Sequence, residues 1–202
     1  MKLIKATITA LLLSAVFSQF AAHAENSEEF AVKPNRGLSA VQHRQLDTLF
    51  DALRDAKNEI EAFGHEQEIW RIWTAPTDKQ LSTMMETATE KMQQSDFKAS
   101  LVVLDKMIKH NPKYAEAWNQ RALVNFRLKN YEASLSDIAA TLKLEPRHFG
   151  ALSGRGIIHL EQGETELAEQ AILRAMRYHP YIRSRSILLN VPLKKVDDLP
   201  YI

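Results

Sequence analysis

The chain has 202 residues, 45% apolar and 25% charged, ordinary proportions for a globular protein. Lys+Arg is 26 against Asp+Glu 25, a net charge of +1; without Lys2 and Lys5 the count is 24 against 25, or −1. Either balance excludes a strongly basic nucleic-acid binder and any global attraction to anionic membranes, and the lack of cysteine excludes disulfides, thiolate metal sites, Cys nucleophiles and a lipid-modified leader.

Residues 1–24 are predicted to be a secretory signal peptide. Lys2 and Lys5 give a positive start, Ala6 to Phe20 is mostly apolar, and Ala22-His23-Ala24 puts small residues before a cleavage point at Glu25. Thr7, Thr9, Ser14, Ser18 and Gln19 interrupt the apolar stretch, which argues against a membrane span. The expected address is the periplasm or, alternatively, the medium, with no stable membrane insertion once the leader is removed. Residues 25–38 read as a flexible leader, and Ser39 as the cap of the next helix.

Residues 39–78 read as an N-terminal helical hairpin. Leu46, Leu49, Phe50, Leu53 and Ile60 have helical spacing, as do Phe63, Ile69, Trp70 and Trp73; Gly64 is the expected break. The hairpin could be a degenerate repeat, since Phe50 and Trp70 lie 34 residues before Met84 and Leu104. Its apolar face is expected to close the amino-terminal end of the helical stack that begins at residue 81.

From residue 81 the sequence repeats. Pro112, Pro146 and Pro180 are spaced by 34, with Ile108, Leu142 and Met176 in one column, Ser100, Ser134 and Ala168 in another, and Ala88, Ala122 and Gly156 in a third. Met84, Trp118 and Leu152 form the large apolar column, from which Trp118 is expected in the core. Each unit holds two periodic stretches: 81–94 and 97–110, 115–128 and 131–144, 149–162 and 165–178. The joints Ser95-Asp96, Lys129-Asn130 and Gly163-Glu164 are too short for anything but antiparallel pairs.

Period and columns together resemble the tetratricopeptide repeat, over units 81–114, 115–148 and 149–182. Arg121, Asn125 and Thr141 depart from its pattern in the middle unit. The resemblance implies an all-α fold, a short right-handed α-solenoid of antiparallel helix pairs, working as a non-catalytic scaffold for a protein or peptide partner. It also implies that the first helix of each pair lines a concave groove. The partner-binding residues then expected are Met85, Met92, Asn119, Leu123, Phe126, Arg127, Ile157 and Leu160. Some family members clamp a peptide carboxylate there with Lys, Arg and Asn; Asn119 and Arg127 alone do not complete such a clamp, so an apolar anchor suits the groove better. The period by itself also allows Leu123, Phe126, Ile157 and Leu160 to be core.

Catalytic and metal signatures are incomplete. His65-Glu66 begins a zinc-protease helix, but Ile69 stands where the second His belongs, and Gly150 to Gly156 lacks the Lys-Ser/Thr ending of a phosphate loop. His110, His148, His159 and His179 read as surface residues, and Glu28-Glu29 and Asp197-Asp198 as solvated tail acids. No catalytic residue, metal or cofactor is expected; self-assembly into a homo-oligomer is the first rival reading and an enzyme the second. Residues 183–202 are expected to form a short helix and a tail, the tail either disordered or folded over apolar surface.

Overall fold

The computed structural model describes residues 37–188. Residues 1–36 and the segment after Leu188, including the expected tail, lie outside them. Gly37 and Leu38, expected at the end of the flexible leader, are instead buried: a Cβ on Gly37 would lie 2.2 Å from Tyr114 Cδ2, and Leu38 joins the core.

Side-chain caps set the starts of most helices. Ser39 and Gln42 form a reciprocal capping box at α1 (Ala40–Arg54): the Gln42 N–H donates to Ser39 Oγ and the Ser39 N–H to Gln42 Oε1. Asn58 Oδ1 accepts the Glu61 N–H at 2.9 Å and starts α2 (Glu59–Thr74), with Glu59 and Glu61 favourably placed in its first turn. The break in the hairpin is therefore at 55–58 and not at Gly64, which lies inside α2 with open space around it. A lone exposed glycine costs a helix only about 1 kcal/mol, too little to end one that is capped upstream and packed downstream.

Six helices follow in three pairs. They are α3 (Lys79–Gln93) and α4 (Phe97–His110), α5 (Ala115–Arg127) and α6 (Tyr131–Leu144), and α7 (Phe149–Glu161) and α8 (Thr165–Tyr178). Asp78 and Asp96 cap α3 and α4. Each boundary falls within two residues of the periodic stretches. The turn inside every pair passes through a left-handed residue at the same column: Ser95 (φ 59°), Lys129 (φ 60°) and Gly163 (φ 77°). The small column works in two ways. Ser100 Oγ donates to Ala88 O at 3.1 Å and Ser134 Oγ to Ala122 O at 2.8 Å, tying the helices where they cross. In the third pair Gly156 gives the close approach, since a Cβ there would lie 2.6 Å from Ile172 Cδ1. The chain then enters a short 3-10 helix (Arg183–Leu188), with Ile182 and Leu188 buried.

The hairpin does not close the amino-terminal end of the stack. α4 packs on α5 and α6 on α7 as successive repeats should, whereas α2 barely touches α3, so its packing is not that of a fourth repeat. Instead α1 and α2 run along the edge formed by the repeat junctions. Tyr114, at the first junction, donates its O–H to Trp73 O at 2.6 Å. His148 and Phe149, at the second, meet Trp73, Trp70 and Phe50. Tyr178 and His179, at the third, meet Phe50 and Glu66. The physical reason lies on both surfaces. The aromatic face of the hairpin finds matching rings at the junctions, while Thr83, Glu86 and Glu90 on α3 are exposed polar residues that need no cover.

Trp118 is also not where its column suggests. It is partly buried, packs against the core from outside, and donates its indole N–H to Pro112 O at 3.0 Å, with the Arg121 guanidinium 5.0 Å from its ring. Trp73, Tyr114 and Phe149 are the large aromatic residues that the core encloses fully.

Candidate functional site

The first helices of the second and third pairs, α5 and α7, lie side by side and enclose an apolar cavity of about 250 Å³. Leu123, Phe126 and Ile157 supply bulky lining, while Ala122, Gly150, Ala151 and Gly154 keep the floor low. Ile138 and Ser134 reach in from α6. Trp70 of the hairpin forms one wall, and Gly150 makes room for it: a Cβ there would lie 2.6 Å from Trp70 Cη2.

Four of the eight expected residues line this cavity: Asn119, Leu123, Phe126 and Ile157. The other four are elsewhere. Met85 is core, 5% exposed, and Met92 packs against the core from its edge. Arg127 is exposed at the end of α5, and Leu160 is 43% exposed, outside the lining. α3 thus contributes no wall, because its inward face is used up in packing against its neighbours. Trp70 is the wall that sequence reasoning misses; its column suggests a helix face but not a partner two repeats away.

The polar groups of the cavity are held from behind. Asn119 donates its amide to Glu116, which also accepts Gln120 Nε2 at 2.6 Å and His148 Nε2 at 2.9 Å. Glu116 and His148 are 1% and 0% exposed. His148 Nδ1 accepts the Ala151 N–H at 3.1 Å, capping α7, so the ring hydrogen sits on Nε2 and is directed at Glu116. His148 is therefore a buried structural residue, as is His179, whose Nε2 lies 3.3 Å from Glu66; surface placement fails for both. Their positions explain why: both lie at junctions between helix pairs, which the hairpin covers. Tyr114 shares this environment, and burial first, then the Glu116 charge, pushes its phenol well above the usual range. The indole N–H of Trp73 and Nδ1 of His179 are buried without a hydrogen-bond partner, so at these two rings the hairpin is held by packing.

Nothing in this arrangement resembles a reaction centre. Both nitrogens of His148 are engaged, and its carboxylate partner is shut off from the cavity. Among the described residues no group of His, Asp and Glu is placed to hold a metal ion, and no helix is long and apolar enough to cross a membrane.

Comparison with known proteins gives three results. The sequence model of the tetratricopeptide repeat matches residues 85–140 and 130–181. A TPR repeat-containing protein of Rhizobium etli is 32% identical over 196 residues, covering 97% of this chain and 96% of the relative. The crystal structure of MamA aligns with 66% of this chain and 77% of its own, with a TM-score of 0.47 and 15% identity.

Proposed function

The chain belongs to the tetratricopeptide repeat proteins, which in general bind other proteins, and from that premise we propose a non-catalytic adaptor that holds an extended partner segment between α5 and α7. The observation that carries this reading is the cavity itself. At about 250 Å³ it falls below the roughly 300–1,000 Å³ of small-molecule sites, and its walls are apolar. A space of that size and lining suits one large aliphatic or aromatic side chain of a partner. Asn119 and Ser153 are polar members of the lining, the first held by Glu116 and the second bonded to Ser184, and their oxygens could accept from a partner backbone N–H.

The expected setting is the periplasm or, alternatively, the medium. Lys2, Lys5, the apolar run Ala6 to Phe20 and Ala22-His23-Ala24 support it from the sequence alone. Sequencing the mature amino terminus tests it: Glu25 is expected first, and an intact Met1 in the cytoplasmic fraction overturns export.

The binding reading is tested by affinity capture from the native cell, comparing the unaltered chain with Phe126→Glu. Phe126 is partly exposed, so the variant should keep its helicity and lose the partner. Retained capture overturns the groove. Loss of helical signal would make Phe126 a core residue. Mass measured against concentration separates this reading from self-assembly, which alone predicts a concentration-dependent dimer.

A further inference from the structure

Trp70 is the wall of the cavity that comes from outside the repeats, and two features fix where it stands. The first is the floor. Gly150, in the first turn of α7, lies under the six-membered edge of the indole: a Cβ there would be 2.6 Å from Cη2 and 3.0 Å from Cζ2. The same column in the second repeat is Glu116, whose carboxylate serves Asn119, Gln120 and His148. Any side chain at 150 takes the space into which the indole reaches.

The second feature is a hydrogen-bonded latch on the other edge of the ring. Trp70 donates its indole N–H to Glu66 Oε1 at 3.3 Å, one turn earlier on α2. Glu66 Oε2 lies 3.3 Å from Nε2 of the buried His179, at the third junction. The hydrogen bond with His179 is the first cause holding the Glu66 carboxyl below its ordinary range, and an ionised acceptor holds an N–H more strongly than a neutral one. Trp73, His148 and Phe149 meet the indole nearly at right angles, with ring centroids 5.3, 5.6 and 5.4 Å away. The indole is thus clamped from α2, from the second and third junctions and from the floor of the cavity.

What the clamp sets is the room left beside it. An apolar cavity of about 150 Å³ admits benzene, so about 250 Å³ holds one ring and the stem that carries it. Phe126 and Trp70 both offer ring surface, which attracts a further ring in edge or offset contact.

We propose that Trp70, held by Glu66 and seated over Gly150, is the specificity-determining residue of the cavity and limits the partner's anchor to a single aromatic ring. Glu66 is its positioning residue. This rests on the groove reading and adds to it the chemistry of the anchor.

The test follows two probes, benzene and naphthalene, by nuclear magnetic resonance of the Leu123 and Ile157 methyl groups in the full chain. The unaltered chain should bind benzene more tightly than naphthalene. Trp70→Ala should raise the ratio of naphthalene to benzene affinity about tenfold or more, the scale of a small change in pocket size. If that variant loses helicity, Trp70→Leu carries the same test. Glu66→Ala should shift the ratio the same way, and Glu66→Gln, which keeps an acceptor for the indole, should shift it less. A merely structural Glu66 would lower the unfolding midpoint and leave the ratio alone. A ratio unchanged by the Trp70 substitution or by Glu66→Ala, or tighter binding of naphthalene by the unaltered chain, overturns the proposal and leaves the groove in place. Benzene that moves neither methyl signal in any variant overturns the cavity as a binding site, and the proposal with it.

Discussion

The indole of Trp73 lies flat on the imidazole of His148, with ring centroids 4.0 Å apart and planes 7° from parallel. Trp73 comes from the second helix of the hairpin, and His148 caps α7. The stack therefore joins the hairpin to the helix that forms one side of the cavity, and Glu116 carries the link on to Asn119.

Two tryptophans should respond very differently to truncation. Trp73 is 1% exposed, so Trp73→Ala should cost ~3–5 kcal/mol as a large-to-small core change. Trp118 packs from outside, and Trp118→Ala should cost about 1 kcal/mol, near the mean for point substitutions. Urea unfolding of the two variants checks the order, and equal losses would refute the placement of the hairpin.

Glycines at 64 and 156 should show opposite signs. Gly64 faces open space in a helix interior, so Gly64→Ala should stabilise by roughly 0.5–1 kcal/mol. At Gly156 a Cβ would meet Ile172 and the Ala168 carbonyl, so Gly156→Ala should cost ~1–3 kcal/mol by overpacking. Thermal midpoints moving in opposite directions are the expected result.

Lys129 holds a left-handed conformation that its third-repeat counterpart, Gly163, adopts without strain. A side chain in that region costs ~1–2 kcal/mol, against ~0.5–1 kcal/mol for the greater freedom of glycine in the unfolded chain. Lys129→Gly should therefore raise stability by roughly 0.5–1 kcal/mol, read as a higher urea midpoint at an unchanged slope.

Acid should loosen the hairpin through Glu66. Its carboxyl is held below the ordinary value of 4.5, first by the hydrogen bond from His179, against the opposing effect of burial. The folded state thus favours the carboxylate. The contribution is complete above 4.5 and is lost as pH falls through the lower folded value. The stability difference between the unaltered chain and Glu66→Gln should shrink over that window; a difference that stays constant with pH would refute the pairing.

The spacing of Pro112, Pro146 and Pro180 made the three helix pairs legible, because each proline ends a helix for local reasons that need no knowledge of the fold. Asn119, Leu123 and Phe126 were legible as one face of α5, and Ile157 as the counterpart of Leu123 34 residues later on α7. What was hidden depends on contacts distant in sequence. Arg121, Asn125 and Thr141 look like unrelated departures from the repeat, yet all three bond to Asp137, two through its carboxylate and Thr141 through its carbonyl. A column shows what has replaced a preferred residue, not that three replacements converge. His148 and Trp73 fail in the same way, since neither position announces a partner 75 residues away (148 − 73).

A solenoid normally behaves like a spring, because each coil touches only the next and the whole can stretch, twist or fray from an end. Here the hairpin is laid across the coils: Tyr114, His148 and His179 are bound to α2 in turn, and Arg185 beyond the last coil pairs with Glu59 at its start. The strut converts a chain of neighbours into a braced frame. Its pitch is set from outside the repeats, and losing one brace is felt by all three coils together.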